Sequence, residues 1–447
     1  MSRYKPYSAY KDSGVEWIGM VPEHWEVMPV KFRFDARLGK MIQPASSSDS
    51  DMLIPYHRAQ TVQWESIDDA AVEEMWASPS DIQKFSVKTG DLLICEGGDV
   101  CRSAIVKSSP WDDLIYQNSI HRVRAKDQYS VDWILRLMQH LRSSGWIYVL
   151  CNKNTIVHFT SEKLGALPCA FPSPKEASNI VDNLNRETTR IDTLIAKKTR
   201  FIELLKEKRQ ALITHAVTKG LDPNVKMKDS GVEWIGEVPE HWEVNRLKFT
   251  VASSKNGVWG EDPTGDDIED LPCVRVADFN RDQLTVDLKE PTMRKIAVNE
   301  RRGRILKYGD LLLEKSGGGE KQPVGCVVQY EGQAPAVCSN FIARIEVAKE
   351  CDPTFVKYVH FALYCTRIST NSINQTSGIQ NLDQDRYFNE AIALPPYTEQ
   401  SNIAATIDGR TSRIDTLMVK SKLSIYLLKE RRSALITAAV TGQIDLR

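Results

Sequence analysis

Two pairs of near-identical segments divide the chain into two halves. Residues 11–27 (KDSGVEWIGMVPEHWEV) recur as residues 228–244, with Glu237 in place of Met20 as the one difference. Residues 188–218 are matched in the same way by residues 411–441. The stretches between these copies show no such likeness. A repeat of this kind predicts two structurally equivalent halves, each with a shared frame around a divergent insert.

The second repeated segment predicts a long helix in each half. Residues 173–176 (SPKE) combine a serine N-cap, a proline in the first turn and a glutamate at the third position, which is typical of a capping box. Residues 398–401 (TEQS) give a looser version. Apolar residues then recur with the heptad spacing of a coiled-coil seam. The predicted seam residues are Leu184, Ile191, Ile202, Leu205 and Leu212 in the first helix, and Ile407, Ile414, Ile425, Leu428 and Leu435 in the second.

Polar residues interrupt both seams at equivalent positions. Lys198 corresponds to Ser421, and Arg209 corresponds to Arg432. Polar groups within a seam set its register at some cost in stability. Because an insert separates the two helices, we expect them to form an antiparallel pair within the chain. A helix of about 35 residues would span about 50 Å and hold two domains apart like a ruler.

The inserts predict two versions of one β-biased fold. Short apolar runs alternate with clusters of Gly, Asp, Ser and Pro, and residues 131–143 and 355–365 each predict a helix. We therefore predict an α+β protein with two similar mixed α/β domains of β bias, separated by two long antiparallel coiled-coil helices and related by a pseudo-two-fold repeat. The predicted segments are residues 1–172 (first domain with its lead-in), 173–220 (first helix), 221–396 (second domain with its lead-in) and 397–447 (second helix).

Composition restricts the class of protein. The nine cysteines are scattered without a Cys-x-x-Cys pair, so we expect reduced thiols rather than disulfides or a zinc site. The net charge of −1 does not favour a protein that coats nucleic acid over its whole surface. No apolar run is long enough to cross a membrane, and the N-terminus lacks a secretory signal. We therefore expect a cytoplasmic protein that makes no membrane contact.

Three resemblances to enzyme motifs fail on inspection. Residues 394–397 (LPPY) have Leu394 where amino-methyltransferases need a hydrogen-bonding residue before the prolines. Residues 316–321 (SGGGEK) lack the spacing of a phosphate-binding loop. Asp310 and Glu314 are not followed by the Glu-x-Lys that a nuclease site would need. No catalytic or metal-binding residue is predicted.

Hydrogen-bonding side chains lie in loops at matching places of the two inserts. Arginine, asparagine and glutamine can bind base edges, and serine, threonine and lysine can bind phosphates. An ordinary solvated loop explains any one of these residues, but their recurrence favours DNA binding. The candidates are Arg58, Gln60, Arg102, Ser103, Asn152, Lys153, Asn154 and Thr155 in the first insert, and Arg275, Lys321, Gln322, Asn374, Gln375, Thr376, Ser377 and Gln380 in the second.

The complete pattern resembles one family. Each half begins with Trp-Ile-Gly-x-Val-Pro-x-His-Trp, contains Gly-Asp-Leu-Leu, and ends in a helix with Ala-Leu-Ile-Thr-x-Ala-Val-Thr. This arrangement is similar to the specificity (S) subunit of type I restriction–modification systems.

The resemblance implies that each domain recognises one half of a bipartite, non-palindromic site in double-stranded DNA. It implies that the helices set the spacer and dock two modification (methyltransferase) subunits, beside restriction (ATP-dependent translocase and nuclease) subunits. It also implies that this chain has no catalytic residues and binds no cofactor, since S-adenosylmethionine, ATP and Mg²⁺ belong to the partner subunits. Two alternatives stay open, a bifunctional restriction–methylation enzyme and a coiled-coil protein scaffold.

Overall fold

The structure is a computed structural model that describes residues 4–151, 158–265, 269–376 and 378–447. It divides into two compact units. The first unit consists of Met1–Lys197 and Ser424–Arg447, and the second is Lys198–Leu423. Each unit therefore contains one globular domain and a part of both long helices.

The first unit has short strands and helices ahead of the first long helix. Its strands are β1 (Tyr10–Asp12), β2 (Met20–Pro22), β3 (Glu26–Pro29), β4 (Phe34–Leu38), β5 (Met52–His57), β6 (Val62–Gln63), β7 (Ser66–Ile67), β8 (Glu73–Ala77), β9 (Leu92–Cys95), β10 (Ser103–Ile105), β11 (Ile115–Tyr116), β12 (Ile120–Ala125) and β13 (Pro168–Phe171). Its helices are α1 (Pro79–Phe85), α2 (Val131–Ser144), α3 (Trp146–Leu150), α4 (Ser161–Ala166) and the first part of α5 (Pro174–Lys219).

The second unit has a similar series of elements. Its strands are β14 (Met227–Asp229), β15 (Glu237–Pro239), β16 (Glu243–Arg246), β17 (Val251–Asn256), β18 (Asp270–Val274), β19 (Phe279–Asn280), β20 (Thr285–Val286), β21 (Met293–Lys295), β22 (Leu311–Glu314), β23 (Ser316–Gly317), β24 (Val327–Gln329), β25 (Val337–Cys338), β26 (Ile342–Val347), β27 (Ile373–Thr376), β28 (Ile379–Leu382) and β29 (Ala391–Leu394). Its helices are α6 (Val298–Arg301), α7 (Pro353–Cys365), α8 (Gln384–Phe388) and the first part of α9 (Tyr397–Val440).

The two units fold their inserts in the same way. In the first unit one sheet has the order β10-β9-β12-β4 and a smaller sheet has the order β11-β5-β8. In the second unit β24-β22-β26-β17 repeats the larger sheet, extended by β20 and β19, and β25-β18-β21 repeats the smaller one. The strand pairs β5–β11 and β18–β25 are both parallel. The prediction of two versions of one α+β fold is confirmed.

The repeated Gly-Asp-Leu-Leu segment has a structural role. Its leucines enter β9 and β22 and are fully buried. In the first unit Asp91 accepts a hydrogen bond from Arg124 Nη2 at 2.7 Å. In the second unit Asp310 accepts two from Arg344, at 2.6 and 3.0 Å. Each aspartate thus fastens the start of one strand to the strand beside it, and this pairing accounts for Asp310 without a nuclease site.

The long helices run antiparallel within each unit. In the first unit Asp192 forms an ion pair with Arg432 at 3.0 Å, and nearer the start of α5 Asn183 donates a hydrogen bond to the carbonyl of Leu446. The chain direction of α5 is therefore opposite to that of the C-terminal segment beside it. In the second unit Leu205 packs with Ile414 and Met418.

The two arginines among the polar seam positions pair with aspartates of the opposite helix. Arg209 lies 3.5 Å from Asp415, and Arg432 lies 3.0 Å from Asp192. Since the two arginines are equivalent in the repeat, and so are the two aspartates, the same cross-helix ion pair forms once in each unit. Of the predicted seam residues, the buried ones are Leu184, Ile191, Leu205, Ile407, Ile414 and Leu435, and the half-buried ones are Ile202, Leu212, Ile425 and Leu428.

The repeated lead-in attaches each domain to the start of a long helix. In the first unit a Glu176 oxygen lies 3.0 Å from His24 Nε2, and Glu176 also accepts hydrogen bonds from Trp25 Nε1 and Tyr7 Oη. In the second unit His241 contacts Glu399 at 2.8 Å in the same way. Only half of the expected capping box therefore forms, because the carboxylate of Glu176 binds the lead-in instead of its own helix start.

Candidate nucleic-acid interface

Four loops of the first unit meet beside its larger sheet, and we call them loop cluster 1 (residues 39–42, 57–60, 96–102 and 117–119). The backbone N–H of Asn118 donates to the carbonyl of Lys40 at 2.9 Å. Ser119 Oγ accepts from the N–H of Ala59 at 3.2 Å, and its carbonyl accepts from the N–H of Glu96 at 2.9 Å. The loops are thus held together by hydrogen bonds between backbone groups and by the short Ser119 side chain.

Loop cluster 2 is the equivalent set in the second unit (residues 257–260, 275–278, 315–322 and 339–341). The N–H of Val258 donates to the carbonyl of Cys338 at 2.8 Å, as that of Lys40 does to Tyr116. The carbonyl of Phe341 accepts from the N–H of Lys315 at 2.9 Å. This shared pattern places three pairs of residues at equivalent positions, Met41 with Trp259, Arg58 with Arg275, and Ser119 with Phe341.

A glycine is required where the first loop of each cluster crosses the start of the fourth. A Cβ atom on Gly39 would lie 2.3 Å from the carbonyl oxygen of Gln117, and one on Gly257 would lie 2.1 Å from that of Cys338. Real Cβ atoms do not approach a backbone atom so closely, so only glycine fits. Both clusters therefore depend on the same close approach of two backbone segments.

The three arginine candidates are held by neighbouring groups. Arg58 pairs with Glu73 at 2.7 Å, and Arg275 pairs with Asp278 at 2.8 Å. Arg102 donates to the carbonyl of Ala59 at 2.6 Å. The hydrogen bond to Asp278 raises the pKa of Arg275, whose side chain is 41% exposed. These contacts fix where each guanidinium points, which favours the oriented donors that base recognition uses.

The remaining candidates fall into four groups. Those with exposed side chains are Gln60, Lys321, Gln322 and Asn374. Those with buried side chains are Ser103, in β10, and Gln380, whose side-chain oxygen accepts from the N–H of Val324. Gln375 and Thr376 belong to β27, whereas Asn152, Lys153, Asn154, Thr155 and Ser377 lie outside the described residues. The structure thus brings Gln60 together with Arg58 and Arg102, and it places Lys321 and Gln322 beside Val276, the neighbour of Arg275 in the chain.

Loop cluster 2 lines an open cavity of about 470 Å³. Two half-exposed aromatic rings line it, Trp259 (39% exposed) and Phe341 (46% exposed). The polar lining includes Arg275, Asn340 and the buried Glu314, which pairs with Arg281 outside the lining at 2.8 Å. Burial raises the pKa of Glu314, and the nearby guanidinium opposes that rise. The cavity thus combines flat apolar walls with a few fixed polar groups.

Sequence reasoning missed the apolar members of the clusters. In the first cluster Met41 is 74% exposed and Ile42 is 51% exposed, and in the second cluster Trp259 and Phe341 are half-exposed. A signal was present, since Met41 and Ile42 precede a serine-rich stretch and Trp259 lies between two glycines. Large apolar side chains that are exposed among polar residues and glycines are typical of a binding surface.

Among the described residues, no group of three or more His, Cys, Asp or Glu side chains is placed to hold a metal ion. Asp310 and Glu314 are each paired with an arginine. No helix in the described part of the chain has the length and hydropathy needed to cross a membrane.

The sequence is similar to known specificity subunits, although no protein-family model matches it. It is 20% identical over 276 residues to the specificity subunit of the type I restriction enzyme StySPI of Salmonella potsdam, covering 61% of this chain and 57% of that protein. It is 20% identical over 297 residues to the EcoBI specificity subunit of Escherichia coli (65% and 61%). It is 25% identical over 238 residues to the putative MjaX specificity subunit of Methanocaldococcus jannaschii (52% and 53%). The matches therefore span little more than half the length of these relatives.

Solved structures extend the likeness over almost the whole chain. A chain from a type I restriction–modification system superimposes with a TM-score of 0.69 at 14% identity, covering 95% of this chain and 99% of that one. The HsdS subunit of Thermoanaerobacter tengcongensis superimposes with a TM-score of 0.51 at 14% identity, covering 95% and 98%. This protein therefore has the fold of HsdS subunits, and its sequence resembles the specificity subunits of type I restriction enzymes.

Proposed function

We propose that this protein is the non-catalytic DNA-recognition subunit of a type I restriction–modification complex. Loop cluster 1 recognises one half of a bipartite site in double-stranded DNA, and loop cluster 2 recognises the other. One observation carries this proposal most: the two clusters have the same backbone hydrogen bonds but different side chains, such as Ser119 against Phe341. Equivalent scaffolds with different side chains suit two half-sites of different sequence, so the whole site is non-palindromic.

The arginines of the two clusters are the leading base-contact candidates. Arg58 and Arg275 occupy equivalent positions, and each is oriented by a carboxylate. A bidentate arginine–guanine contact is worth about 1–3 kcal/mol of discrimination against a wrong base. Gln60, Lys321 and Gln322 are exposed beside them and suit contacts to bases or phosphates.

The helices dock two methyltransferase subunits. Each helix exposes leucines at equivalent positions, Leu194 and Leu204 on α5, and Leu417 and Leu427 on α9. Apolar side chains that are repeated and left exposed on otherwise charged helices suit a partner that binds twice. The methyltransferase subunits bring S-adenosylmethionine, and the restriction subunits bring ATP and Mg²⁺. We place the complex in the cytoplasm, which fits nine cysteines that all have free thiols.

The paired helices also set the unread gap. At 1.5 Å per residue, the 46 residues of α5 extend for about 69 Å. Inserting seven residues at Leu205 and seven at Met418, which pack together in the second unit, adds about 10 Å. That length corresponds to about 3 base pairs of DNA. A gap of unchanged length would refute the ruler role of the helices.

Mapping of modified bases tests the proposed function. The chain is expressed with its methyltransferase subunits in a host that lacks other modification, and methylated positions are read from the whole genome. We expect one non-palindromic motif of two short parts with a constant gap. Methyl transfer by the purified chain alone would instead indicate a bifunctional enzyme. A complex that shows no salt-dependent DNA binding and leaves no motif would indicate a protein scaffold.

A further inference from the structure

Loop cluster 2 holds Trp259 rigidly at the edge of its cavity. The guanidinium of Arg294 lies 4.6 Å from the centre of the Trp259 rings, and Arg294 donates to the carbonyls of Trp259 and Gly260. A Cβ atom on Gly260 would lie 2.2 Å from the carbonyl oxygen of Lys295, so the backbone on this side is clamped too. Since the cation covers one face of the indole, the ring is left as a fixed one-sided platform.

The rest of the cavity suits a flat, polar-edged molecule. Phe341 supplies a second half-exposed ring. The side chain of Glu314 is 2% exposed, and Arg281 donates to its Oε2. Arg281 and a hydrogen bond from the backbone of Cys326 both favour the charged form of this carboxylate. An ionised carboxylate only accepts hydrogen bonds, so its place in the cavity lining suits an amino group of a ligand.

We propose that this cavity takes up one nucleobase with an exocyclic amine, adenine or cytosine, unstacked from the half-site that loop cluster 2 recognises. This inference rests on the proposed function. Aromatic rings bind single bases by stacking, which strengthens binding by about 5- to 150-fold per base. Carboxylates accept hydrogen bonds from the amino groups of bases. The cavity volume of about 470 Å³ also falls within the usual range of pockets for small organic molecules.

The first unit does not share this arrangement. Met41 stands where Trp259 does, and Ser119 stands where Phe341 does, so neither equivalent position has a ring. Cys95 takes the place of Glu314, because both residues end the central strand that precedes the glycine loop. We therefore expect the unstacked base in only one of the two half-sites, and the other half-site serves as an internal control.

The test uses the complex with its methyltransferase subunits and duplexes of the mapped motif. A fluorescent base analogue replaces one base at a time, 2-aminopurine for adenine and pyrrolocytosine for cytosine. Besides the methylated positions, we expect one position in the second half-site to show a several-fold rise in fluorescence on binding. Trp259→Leu together with Phe341→Leu should abolish that rise. Phe249→Leu, which alters a ring that is 57% exposed in the same unit outside the cavity lining, should retain it.

A measurement on the unaltered protein guards against variants that fail to fold. Removing the base opposite the identified position lowers the cost of unstacking, so the complex should bind that duplex about tenfold more tightly. Equal or weaker binding, or no fluorescent position beyond the methylated ones, would overturn the proposal. Either result could occur while the two-part motif is still methylated, in which case the proposed function stands and only the base-binding cavity is refuted.

Discussion

Glu65 joins the first globular domain to helix α9 within the first unit. It lies at the tip of the β6–β7 hairpin and accepts hydrogen bonds from Arg136 and Gln139 of α2. Arg432 of α9 donates to both of its oxygens at 3.0 Å. Although burial opposes the charged form, the arginines and Gln139 together lower the pKa of Glu65. Glu65 therefore pairs with two largely buried arginines, of which Arg432 also pairs with Asp192.

Replacing Glu65 by alanine should destabilise the first unit strongly. Breaking a buried ion pair costs about 3–5 kcal/mol. Because the Glu65 side chain is 32% exposed, we expect a smaller loss of about 2–3 kcal/mol in the free energy of unfolding. For a unit of about 220 residues, each kcal/mol shifts the melting temperature by about 2–4 °C. The expected decrease is therefore about 4–12 °C by scanning calorimetry, and hydrogen exchange should locate it in the first unit.

The second unit provides a matched control. Asp282, at the tip of the β19–β20 hairpin, pairs with Lys422 of α9 at 3.0 Å, but these side chains are 48% and 54% exposed. An exposed pair is worth at most about 1 kcal/mol, so Asp282→Ala should lower the melting temperature by no more than about 4 °C. Equal effects of the two substitutions would refute the argument that burial of the two arginines makes Glu65 important.

Three further predictions concern the seam, a buried histidine and a loop crossing. Arg209→Leu should cost about 3–5 kcal/mol, whereas adding Asp415→Leu should restore most of that stability; urea unfolding of both variants measures this, and no rescue would contradict it. Burial lowers the pKa of His140 to about 4. The His140 imidazole therefore stays neutral in the folded chain down to about pH 4, whereas in the unfolded chain it gains a proton below about pH 6.5. Stability should thus be complete above pH 6.5 and fall by up to about 1.4 kcal/mol per pH unit toward pH 4, a slope that His140→Asn should reduce. Gly257→Ala should displace loop cluster 2 from Cys338 and weaken DNA binding at least tenfold, with the first half-site still recognised; unchanged binding in a gel-shift titration would show that the crossing is not needed.

Repeats and hydrophobic periodicity predicted the two equivalent halves and their helices, because both signals come from residues that are close together in the sequence. The helix predicted at residues 131–143 is Val131–Ser144 in the structure, and the one predicted at residues 355–365 is Pro353–Cys365. The seam followed from heptad spacing alone. Glu176 shows the limit of such local patterns. Its spacing from Ser173 predicts a capping box, but His24 and Trp25, distant in sequence, bind its carboxylate instead.

The candidate interface was less accessible to sequence reasoning. Arg58 looks like any loop arginine until β8 brings Glu73 beside it. Ser103 looks like a polar loop residue, yet β10 buries it completely. The platform of Trp259 depends on Arg294, which lies on β21. Contacts between distant strands decide all three positions, and no pattern within one segment encodes them.

Exchange of one insert tests the central claim most directly. Residues 28–172 are replaced by the corresponding insert of another specificity subunit, and the methylated motif is mapped again in the same host. The account predicts that one half of the motif changes completely while the other half and the gap stay the same. If both halves change, or neither does, the two units do not recognise DNA independently and the account is contradicted.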